Sequence, residues 1–379
     1  MKMEIDNNKN QVIKELKRFG YQSQSYHILG DDMSYFFSPS GIPGVIAYVI
    51  HANVALGAGD PVCDPTNLPK FIREFNAYCQ SQNWRCCFQA VTEQCHDILV
   101  NMGFGSLKIG EEPFYDLENL SWDGSKLRGL RKDIRRGIKH GLTVVEYCPL
   151  SGWNSQWEMQ MRELSATWEK FKGSGEFAFL LGGPSLSDPG DRKYFLALLD
   201  DRVEAFVVCT PIYARDGIYF DLMRRKERPV SGTSQFLISE AFRLLKEQGF
   251  KTATLGTAPL SNQHVEDTAQ SLIIGKVLDL AYGRLGSFHR YKPIHEFKVQ
   301  FGPTHWENRY LVYEPPFNPV MIYTLLKAYD PSGIKGKLLR QIQSIWDGIQ
   351  KRLKGGLAKS LGHVTDVLRE LEKEIVRRL

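Results

Sequence analysis

Apolar positions along this chain show two periodicities, a period of two in short runs and a period near 3.6 in longer ones. Segments of the two kinds alternate along the chain. In the first 120 residues, runs rich in β-branched and aromatic side chains predict strands, and apolar residues at helical spacing predict helices. In chain order these are a strand at 45–54, a helix at 68–80, a strand at 84–91, a helix at 92–102 and a strand at 107–117. The segment at 56–61 contains two glycines and a proline, and we expect a turn there.

The second half of the chain repeats this order. Its predicted elements are strands at 203–211 and 217–223 joined by a hairpin at 214–217, a polar loop at 224–232, a helix at 234–248, a strand at 251–256, helical segments around 269–280 and a strand at 309–313. In both halves a short link that contains glutamine joins the helix to the next strand. The shared order predicts a duplicated α/β fold.

Length and composition fit two globular domains. A chain of 379 residues exceeds one ordinary domain, and 42% hydrophobic with 24% charged residues is typical of a protein with a buried core. The predicted division is an N-terminal domain at 1–145, a C-terminal domain at 146–330 and a helical tail at 331–379. The longest apolar runs are far shorter than the roughly 20 residues that span a bilayer. Because the first residues are polar as well, we expect a cytoplasmic protein without a secretory signal.

The cysteines and the charge distribution narrow the possible partners. The seven cysteines show no Cys-x-x-Cys spacing, which argues against disulfides and against a zinc site, so no metal is expected. The net charge is +5, but the residues from 335 onward carry +6 and the rest of the chain −1. A second concentration lies at 126–139, where seven cations face the single anion Asp133. Its expected partners are phosphates of RNA or of anionic lipid, and the alternative is a solvated helix face.

The tail is predicted to form two amphipathic helices that meet at Gly355-Gly356. The first carries six cations with only Asp347 as an anion, and Trp346 lies in its apolar stripe. This composition is typical of a helix at a membrane interface, although docking on the body of the protein is the alternative. The second helix mixes acidic and basic residues, which suits packing or helix pairing.

The first candidate for chemistry is the segment Asp221-Leu-Met-Arg224 at the end of a predicted strand. Strand alternation places Asp221 and Met223 on one face, and Arg224 begins the following loop, where it can turn back towards Asp221. A carboxylate beside a guanidinium at a strand end suits an amino acid or a phosphate ester. The alternative is a structural ion pair at the sheet edge.

Three residues at the start of the next helix, Gly232, Thr233 and Ser234, offer backbone N–H groups and hydroxyls to a substrate. Helix capping alone would also explain them. The preceding segment at 228–234 lacks the spacing of a coenzyme A pyrophosphate loop, Q/R-x-x-G-x-G/A. A further candidate is Lys298 in aromatic surroundings, which favour a partly desolvated amine, with an exposed surface lysine as the alternative.

Several segments in collinear order resemble one known family. They are Gly59-Asp-Pro-Val62, Gly110-Glu-Glu112, the basic run after Leu127, Asp221-Leu-Met-Arg224, Gly256-Thr-Ala-Pro-Leu-Ser261 and the stretch from Phe297-Lys298 to Arg309-Tyr-Leu-Val-Tyr313. On these segments, roughly residues 20–320 resemble the C-terminal catalytic domain of the phosphatidylglycerol lysyltransferases and alanyltransferases, the multiple peptide resistance factors. We expect the chain to depart from the pattern by lacking a multi-helix membrane domain and in its residues beyond Pro319.

The resemblance implies a fold and an activity. The fold is a tandem pair of acetyltransferase-like (GNAT-like) domains, and the activity is transfer of lysine or alanine from aminoacyl-tRNA to a hydroxyl of phosphatidylglycerol. The matching motifs mark Asp221, Arg224 and Lys298 as the catalytic residues. Together with the candidates at the helix start, the predicted substrate-binding residues are Gly232, Thr233, Ser234, Ser261, Arg309, Arg128, Arg131, Arg135 and Arg136.

The implied partners are aminoacyl-tRNA and an anionic membrane lipid, with peripheral contact to the inner face of the cell membrane through the C-terminal helix. Nothing in the sequence demands a cofactor, because the donor would be the tRNA ester. The alternatives are an N-acetyltransferase that uses acetyl-CoA, a non-catalytic RNA- or lipid-binding module, and a tRNA-dependent transferase with a peptide or another lipid as acceptor.

Overall fold

The computed structural model describes residues 2–172, 185–186, 189–259, 292–315 and 324. Helices and strands alternate along these residues. The helices are α1 (Lys2–Phe19), α2 (Leu68–Ser81), α3 (Glu93–Asn101), α4 (Arg128–Lys139), α5 (Ser155–Lys172), α6 (Thr233–Glu247) and α7 (Lys292–Val299). The strands are β1 (Ser34–Phe36), β2 (Gly44–His51), β3 (Val54–Ala58), β4 (Val62–Cys63), β5 (Arg85–Val91), β6 (Gly105–Asp116), β7 (Thr143–Tyr147), β8 (Lys193–Leu199), β9 (Arg202–Ile212), β10 (Gly217–Arg225), β11 (Thr252–Thr254), β12 (Ala258–Pro259) and β13 (His305–Tyr313).

All of these strands belong to one mixed sheet. The order along it is β1-β2-β3-β5-β13-β6-β11-β10-β9-β8-β7, with β4 beside β2 and β12 beside β6. Two neighbouring pairs, β3/β5 and β10/β11, are parallel, and the other described pairs are antiparallel. The predicted α/β class is therefore confirmed.

Each parallel pair is connected by one helix, α2 in the first half and α6 in the second. Both helices end in the same way. A left-handed residue follows the last turn, Asn83 with φ 57° in the first half and Gly249 with φ 88° in the second. The next amide then bonds back across the last turn, Trp84 N to Cys79 O at 2.9 Å in the first half, with its counterpart at 3.1 Å in the second. This repetition supports the duplication expected from the order of elements.

The last strand of each half is exchanged with the other half. β6 follows the first parallel pair along the chain but pairs with β11, and β13 follows the second pair but pairs with β5. The two exchanged strands also pair with each other, from Gly105↔Tyr313 to Phe114↔His305. The sheet is therefore continuous across residue 145, and the division into domains at that point stays a prediction.

A segment that no sequence pattern predicted crosses the sheet between the two halves. Residues 20–29, named the crossing segment here, include a short 3₁₀ helix (Ser23–Leu29). Its side chains Gln22, Ser23 and His27 contact β5, β6 and β10 in turn. The crossing segment therefore contacts strands that are distant in sequence and belong to both halves.

Two of the predicted local structures were wrong in detail. The expected turn at 56–61 begins only at Gly59, because β3 runs to Ala58. The strand predicted at 45–54 is interrupted at Ala52 and Asn53, whose φ values of 49° and 59° make a tight hairpin between β2 and β3. The helical segments predicted at 269–280 and in the tail at 331–379 lie outside the described residues.

Candidate active site

Asp221 is the extra residue of a β-bulge in β10. The pairing with β9 shifts between Phe220 and Leu222, so Asp221 has no partner residue in the ladder. Beyond the bulge the alternation is reversed, because Met223 packs in the same cluster as Phe220. The common face predicted for Asp221 and Met223 from simple alternation therefore does not hold.

His27 of the crossing segment lies next to the carboxylate of Asp221. Nε2 of His27 lies 3.3 Å from Oδ1 of Asp221, and the two side chains are 6% and 1% exposed. The ring meets Tyr219 edge-on, with 5.8 Å between centroids. Burial, with a smaller contribution from the positive charge of Arg192, lowers the pKa of His27 to about 3. The imidazole is therefore neutral at pH 7 in spite of the nearby carboxylate.

Lys298 of α7 is a buried amine and not the exposed surface lysine of the alternative interpretation. Its Nζ donates to the carbonyl oxygens of Gly256 at 2.5 Å and Thr257 at 2.8 Å. Burial lowers the pKa of Lys298 to about 7, although the charge of Glu112 acts in the opposite direction. A neutral amine has two N–H bonds, and the two carbonyls accept both of them. Its lone pair is then left to take a proton.

Tyr219 lies between the amine and the carboxylate. Gly256 has φ 77°, and a Cβ at this position would come within 2.8 Å of the Tyr219 ring. The glycine therefore allows the ring to approach the carbonyl that Lys298 binds. On its other side the same ring contacts His27, which contacts Asp221. Lys298 and Asp221 thus belong to one chain of contacts just beyond the point where the parallel pairing of β10 with β11 ends.

Arg309 of β13 is fully buried, and its charge is matched within the protein. Its Nε and an Nη lie 2.8 and 2.6 Å from Oε2 of Glu112, and the Nη also lies 3.0 Å from Glu307. Glu112 in turn accepts hydrogen bonds from Ser23 and Thr254, both at 2.9 Å. A guanidinium held in this way positions its neighbours. The predicted contact of Arg309 with a substrate stays a prediction.

This ion pair is joined to the buried amine by a short chain of hydrogen bonds. The hydroxyl of Thr254 donates to Glu112 and accepts from the amide of Gly256 at 3.1 Å. The carbonyl of Gly256 accepts from Lys298. The backbone that Lys298 binds is therefore fixed through Thr254 to the Arg309–Glu112 pair.

Arg224 lies in a strand and not at the start of a loop. β10 continues to Arg225, and Arg224 faces Phe206 of β9 in the ladder. The strand extends because β9 offers a full set of pairing partners up to this point, which the polar sequence after Met223 did not reveal. The described contact of Asp221 is with His27, whereas Arg224 donates to its own neighbour, Met223 O, at 3.3 Å.

The start of α6 is packed beneath α4. Gly232 has φ 90°, and any Cβ there would collide with the carbonyl of Asp133. The close approach of the two helices therefore requires glycine at this position. Thr233 is buried and donates to Val230 O at 2.6 Å, and Ser234 is half-buried. The substrate contacts predicted for Gly232, Thr233 and Ser234 remain predictions.

The four arginines of α4 differ in what they contact. Arg131 donates to two carbonyls of the preceding loop at 2.5 and 2.7 Å, and Arg136 pairs with Asp133 at 3.0 Å. Arg128 and Arg135 are exposed, and no ion pair of either is found in the part of the chain that the structure describes. The opposite side of α4 packs on α6. Arg128 and Arg135 are therefore the best placed of the four to meet an external phosphate.

Some expectations concern residues or groups beyond this cluster. Ser261 lies outside the described residues. Within the described ranges no group of His, Cys, Asp and Glu side chains could hold a metal ion, and no helix there is long and apolar enough to cross a membrane. The seven cysteines are free thiols, of which Cys148 alone is exposed.

Sequence reasoning missed four members of the cluster. Glu112 lies in one of the motifs but was given no role, and Thr254 and Tyr219 lie in predicted strands without any distinguishing spacing. His27 lies in the crossing segment, where neither periodicity applies. Only the contacts made by the folded chain identify it.

The duplicated mixed sheet with exchanged final strands agrees with the tandem α/β architecture that the resemblance implied. The chain belongs to the family described as phosphatidylglycerol lysyltransferase, C-terminal, whose profile matches residues 13–313.

Two named relatives agree with this assignment. The chain is 27% identical over 298 residues to the lysylphosphatidylglycerol biosynthesis bifunctional protein LysX of Mycobacterium marinum, covering 77% of this chain and 26% of that protein. It is 21% identical over 308 residues to the phosphatidylglycerol lysyltransferase of Staphylococcus epidermidis, covering 80% of this chain and 35% of that protein. The chain therefore spans about a quarter to a third of the length of these relatives.

Two solved structures share the fold. The C-terminal domain of a putative lysylphosphatidylglycerol synthetase from Agrobacterium fabrum superposes with a TM-score of 0.72 at 22% identity, over 87% of this chain and 99% of that domain. The structure of L-PGS from Bacillus licheniformis gives a TM-score of 0.70 at 22% identity, over 84% of this chain and 96% of that one. At this level of identity the likeness establishes a common fold.

Proposed function

We propose that the chain transfers lysine or alanine from aminoacyl-tRNA to the hydroxyl of a membrane lipid, with phosphatidylglycerol as the acceptor. Membership of the family supports a lipid aminoacyltransferase. The observation that carries the proposal is the buried Lys298, with a pKa of about 7, in one cluster with the buried carboxylate of Asp221. Such a pair can move a proton and hold a cationic substrate at neutral pH.

The reaction exchanges one ester for another. The acceptor hydroxyl attacks the ester carbonyl, a tetrahedral oxyanion forms, and the ribose oxygen of the tRNA leaves. One proton must therefore pass from the acceptor hydroxyl to the leaving oxygen. Lys298 carries out both transfers, because its lone pair takes the proton while Gly256 O and Thr257 O hold its two N–H groups.

Asp221 binds the α-ammonium group of the aminoacyl ester. Its side chain is 1% exposed, and an ammonium group bound beside it favours the ionised carboxylate, because opposite charges attract strongly at low dielectric. Arg224, half-buried further along the same strand, binds a phosphate of the tRNA end or of the lipid. Arg309 acts through Glu112 and Thr254 to fix the backbone that Lys298 binds.

The exposed arginines of α4 bind the tRNA. Arg128 and Arg135 are seven residues apart and so project from the same side of the helix. Phosphate contacts of this kind weaken as salt rises, because bound counterions are released. The predicted basic helix of the tail supplies a peripheral contact to anionic lipid at the cytoplasmic face of the membrane.

The test is incubation of the protein with charged, radiolabelled tRNA and phosphatidylglycerol vesicles, followed by mass analysis of the extracted lipid. We expect an aminoacylated phosphatidylglycerol whose formation ribonuclease abolishes. Vesicles of diacylglycerol or of other lipids test the acceptor. Product formation from free amino acid and ATP without tRNA would contradict the proposal, and binding of acetyl-CoA in a calorimeter would favour an acetyltransferase instead.

A further inference from the structure

An exposed apolar cluster lies in the second half, away from the site described above. Leu150, Trp153 and Met159 are 77%, 71% and 54% exposed. They fall within ten residues, between the end of β7 and the first turns of α5. From Tyr147 to Trp157 the chain carries no charged side chain, although 24% of all its residues are charged. Exposed apolar side chains concentrated in this way mark a binding surface.

The loop that presents them has a defined shape. The carbonyl of Cys148 accepts from the amides of Ser151 at 3.3 Å and Gly152 at 2.9 Å, which closes a turn beneath Leu150. At the other end the side-chain oxygen of Asn154 caps α5. The backbone N–H of Asn154 donates to the hydroxyl of Tyr147 at 3.1 Å. Leu150 and Trp153 are thus exposed on a loop that is hydrogen-bonded at both ends.

The loop begins at the same level of the sheet as the bulge that contains Asp221, three strands away. Tyr147, next to the loop, pairs with Tyr194 of β8, which pairs with Val208 of β9, which pairs with Leu222 of β10. Tyr147 and Leu222 also belong to one core cluster. Three strand spacings separate them, about 14 Å. Whatever the loop binds therefore lies next to the half of the protein that carries the candidate site.

We propose that the loop at 148–154 inserts Leu150 and Trp153 into the interface of a lipid bilayer and so docks the protein next to its acceptor. Trp, with an apolar ring and a polar N–H, is enriched at the level of lipid headgroups, and Leu adds apolar area below it. The absence of charge in the loop fits the interface, since an anionic surface would repel carboxylates and a buried cation would be desolvated. The choice of a bilayer as partner rests on the proposed function, in which the acceptor is a membrane lipid.

The loop contains its own attachment site for a fluorophore. Cys148 is exposed, and the other six cysteines are buried, so a thiol-reactive nitrobenzoxadiazole labels it selectively. Hydrogen bonds from Ser151 lower the pKa of the Cys148 thiol, which favours the reaction further. We expect the emission to rise severalfold and shift to the blue on addition of phosphatidylcholine–phosphatidylglycerol vesicles, and to be quenched by brominated lipid chains. A label at Ser81→Cys in a Cys148→Ser background, in the first half, should not respond.

Three results of this labelling would overturn the proposal. The labelled protein could sediment with vesicles without a change in emission, in which case α4 or the tail makes the contact. It could fail to bind vesicles at all. Its emission could already be blue-shifted without lipid, with slow labelling of Cys148, in which case another segment or a second copy of the chain covers the loop.

Variants separate this proposal from the proposed function. Leu150→Ser with Trp153→Ser should lower vesicle binding about tenfold or more, and the loss should persist in 1 M salt, where the Debye length is about 3 Å. The matched pair Ile50→Ser with Val100→Ser, also exposed apolar residues, should bind normally. Transfer to vesicle lipid should fall with binding, while transfer to short-chain phosphatidylglycerol below its micelle concentration should not change. An intact protein that is inactive on both acceptors would refute the proposed function, and the fluorescence would still decide the role of the loop.

Discussion

The two parallel strand pairs occupy equivalent places in the duplicated fold, but they end differently. At the end of β3/β5 the side chain of Gln22 fills the space. Its Nε2 donates to Ala90 O at 2.6 Å, and Gly59, with φ 76°, could not carry a Cβ without colliding with it. At the end of β10/β11 the same place holds Asp221 and the backbone bound by Lys298. The first half is thus closed by Gln22 of the crossing segment, and the second carries the candidate site.

The buried carboxylates of the two halves show the same contrast. Asp60, at the turn after β3, accepts from the amide of Thr92 at 2.8 Å and from its hydroxyl at 2.6 Å. These bonds fix the turn to the start of α3, and burial raises the pKa of Asp60. Asp221 instead contacts the neutral side chain of His27. The hydrogen bonds of Asp60 therefore serve the fold, whereas Asp221 is the carboxylate for which we propose a ligand contact.

The largest effect is expected at Lys298. Lys298→Gln should lower kcat/KM for transfer about 1000-fold, within the range of general acid–base groups, and Lys251→Gln, on the surface, should leave it unchanged. Wild-type kcat/KM should rise with pH through about 7, because the neutral amine is the active form, and the variant should lack this limb. A variant with near-normal turnover would remove Lys298 from the reaction.

The same lysine makes the stability of the folded protein depend on pH. Its pKa is about 7 in the folded protein and about 10.4 in an unfolded chain, so between these values the unfolded state binds more protons. The free energy of unfolding should therefore rise with pH across this window in the wild type, relative to Lys298→Met. Thermal unfolding of both proteins from pH 7 to pH 10 measures the difference, and parallel curves would contradict the burial of the amine.

The two buried carboxylates should respond to substitution in opposite ways. Asp221→Asn should lower kcat/KM at least about 100-fold with little change in melting temperature, because a ligand contact is lost. Asp60→Ala should leave turnover per folded molecule unchanged and lower the free energy of unfolding by about 1–3 kcal/mol, because it leaves Thr92 N–H buried without an acceptor. Transfer kinetics and thermal unfolding, measured on both variants, test the contrast. If both variants changed activity and stability in the same way, the proposed contrast between Asp221 and Asp60 would be wrong.

Two residues of the crossing segment give the smallest and sharpest comparison. His27→Phe keeps the ring but removes the nitrogen at Asp221, and we expect about a tenfold loss in kcat/KM that His27→Gln partly restores. Gln22→Ala should lower only stability, by about 1 kcal/mol. Kinetics with aminoacyl-tRNA as the varied substrate measure both effects. Loss of activity in Gln22→Ala would mean that the end of β3/β5 takes part in the reaction.

Much of the fold could be predicted because it depends on local pattern. Helices α2, α3 and α6 and strands β5, β6, β9 and β10 follow the expected periodicities, and Asp221, Arg224, Lys298 and Arg309 stood out through their motifs. The exchange of β6 and β13 could not be predicted, because strand pairing is non-local and neither strand's sequence specifies its partner strand. The bulge at Asp221 was likewise hidden, because β10 is apolar on both sides of this residue and a shift by one position leaves the pattern unchanged. α1, α5, β7 and β8 were also missed, although β8 is an almost continuous apolar run and Trp157, Met161 and Leu164 of α5 repeat at helical spacing.

The most direct test of the contrast between the halves is a crystal structure with a tRNA minihelix that carries lysine through a 3′-amide, which cannot be transferred. We expect the α-ammonium within hydrogen-bonding distance of Asp221, the amide carbonyl within reach of Lys298, and Gln22 still in place at Ala90. An aminoacyl group at the end of β3/β5, or one that touches neither Asp221 nor Lys298, would contradict it.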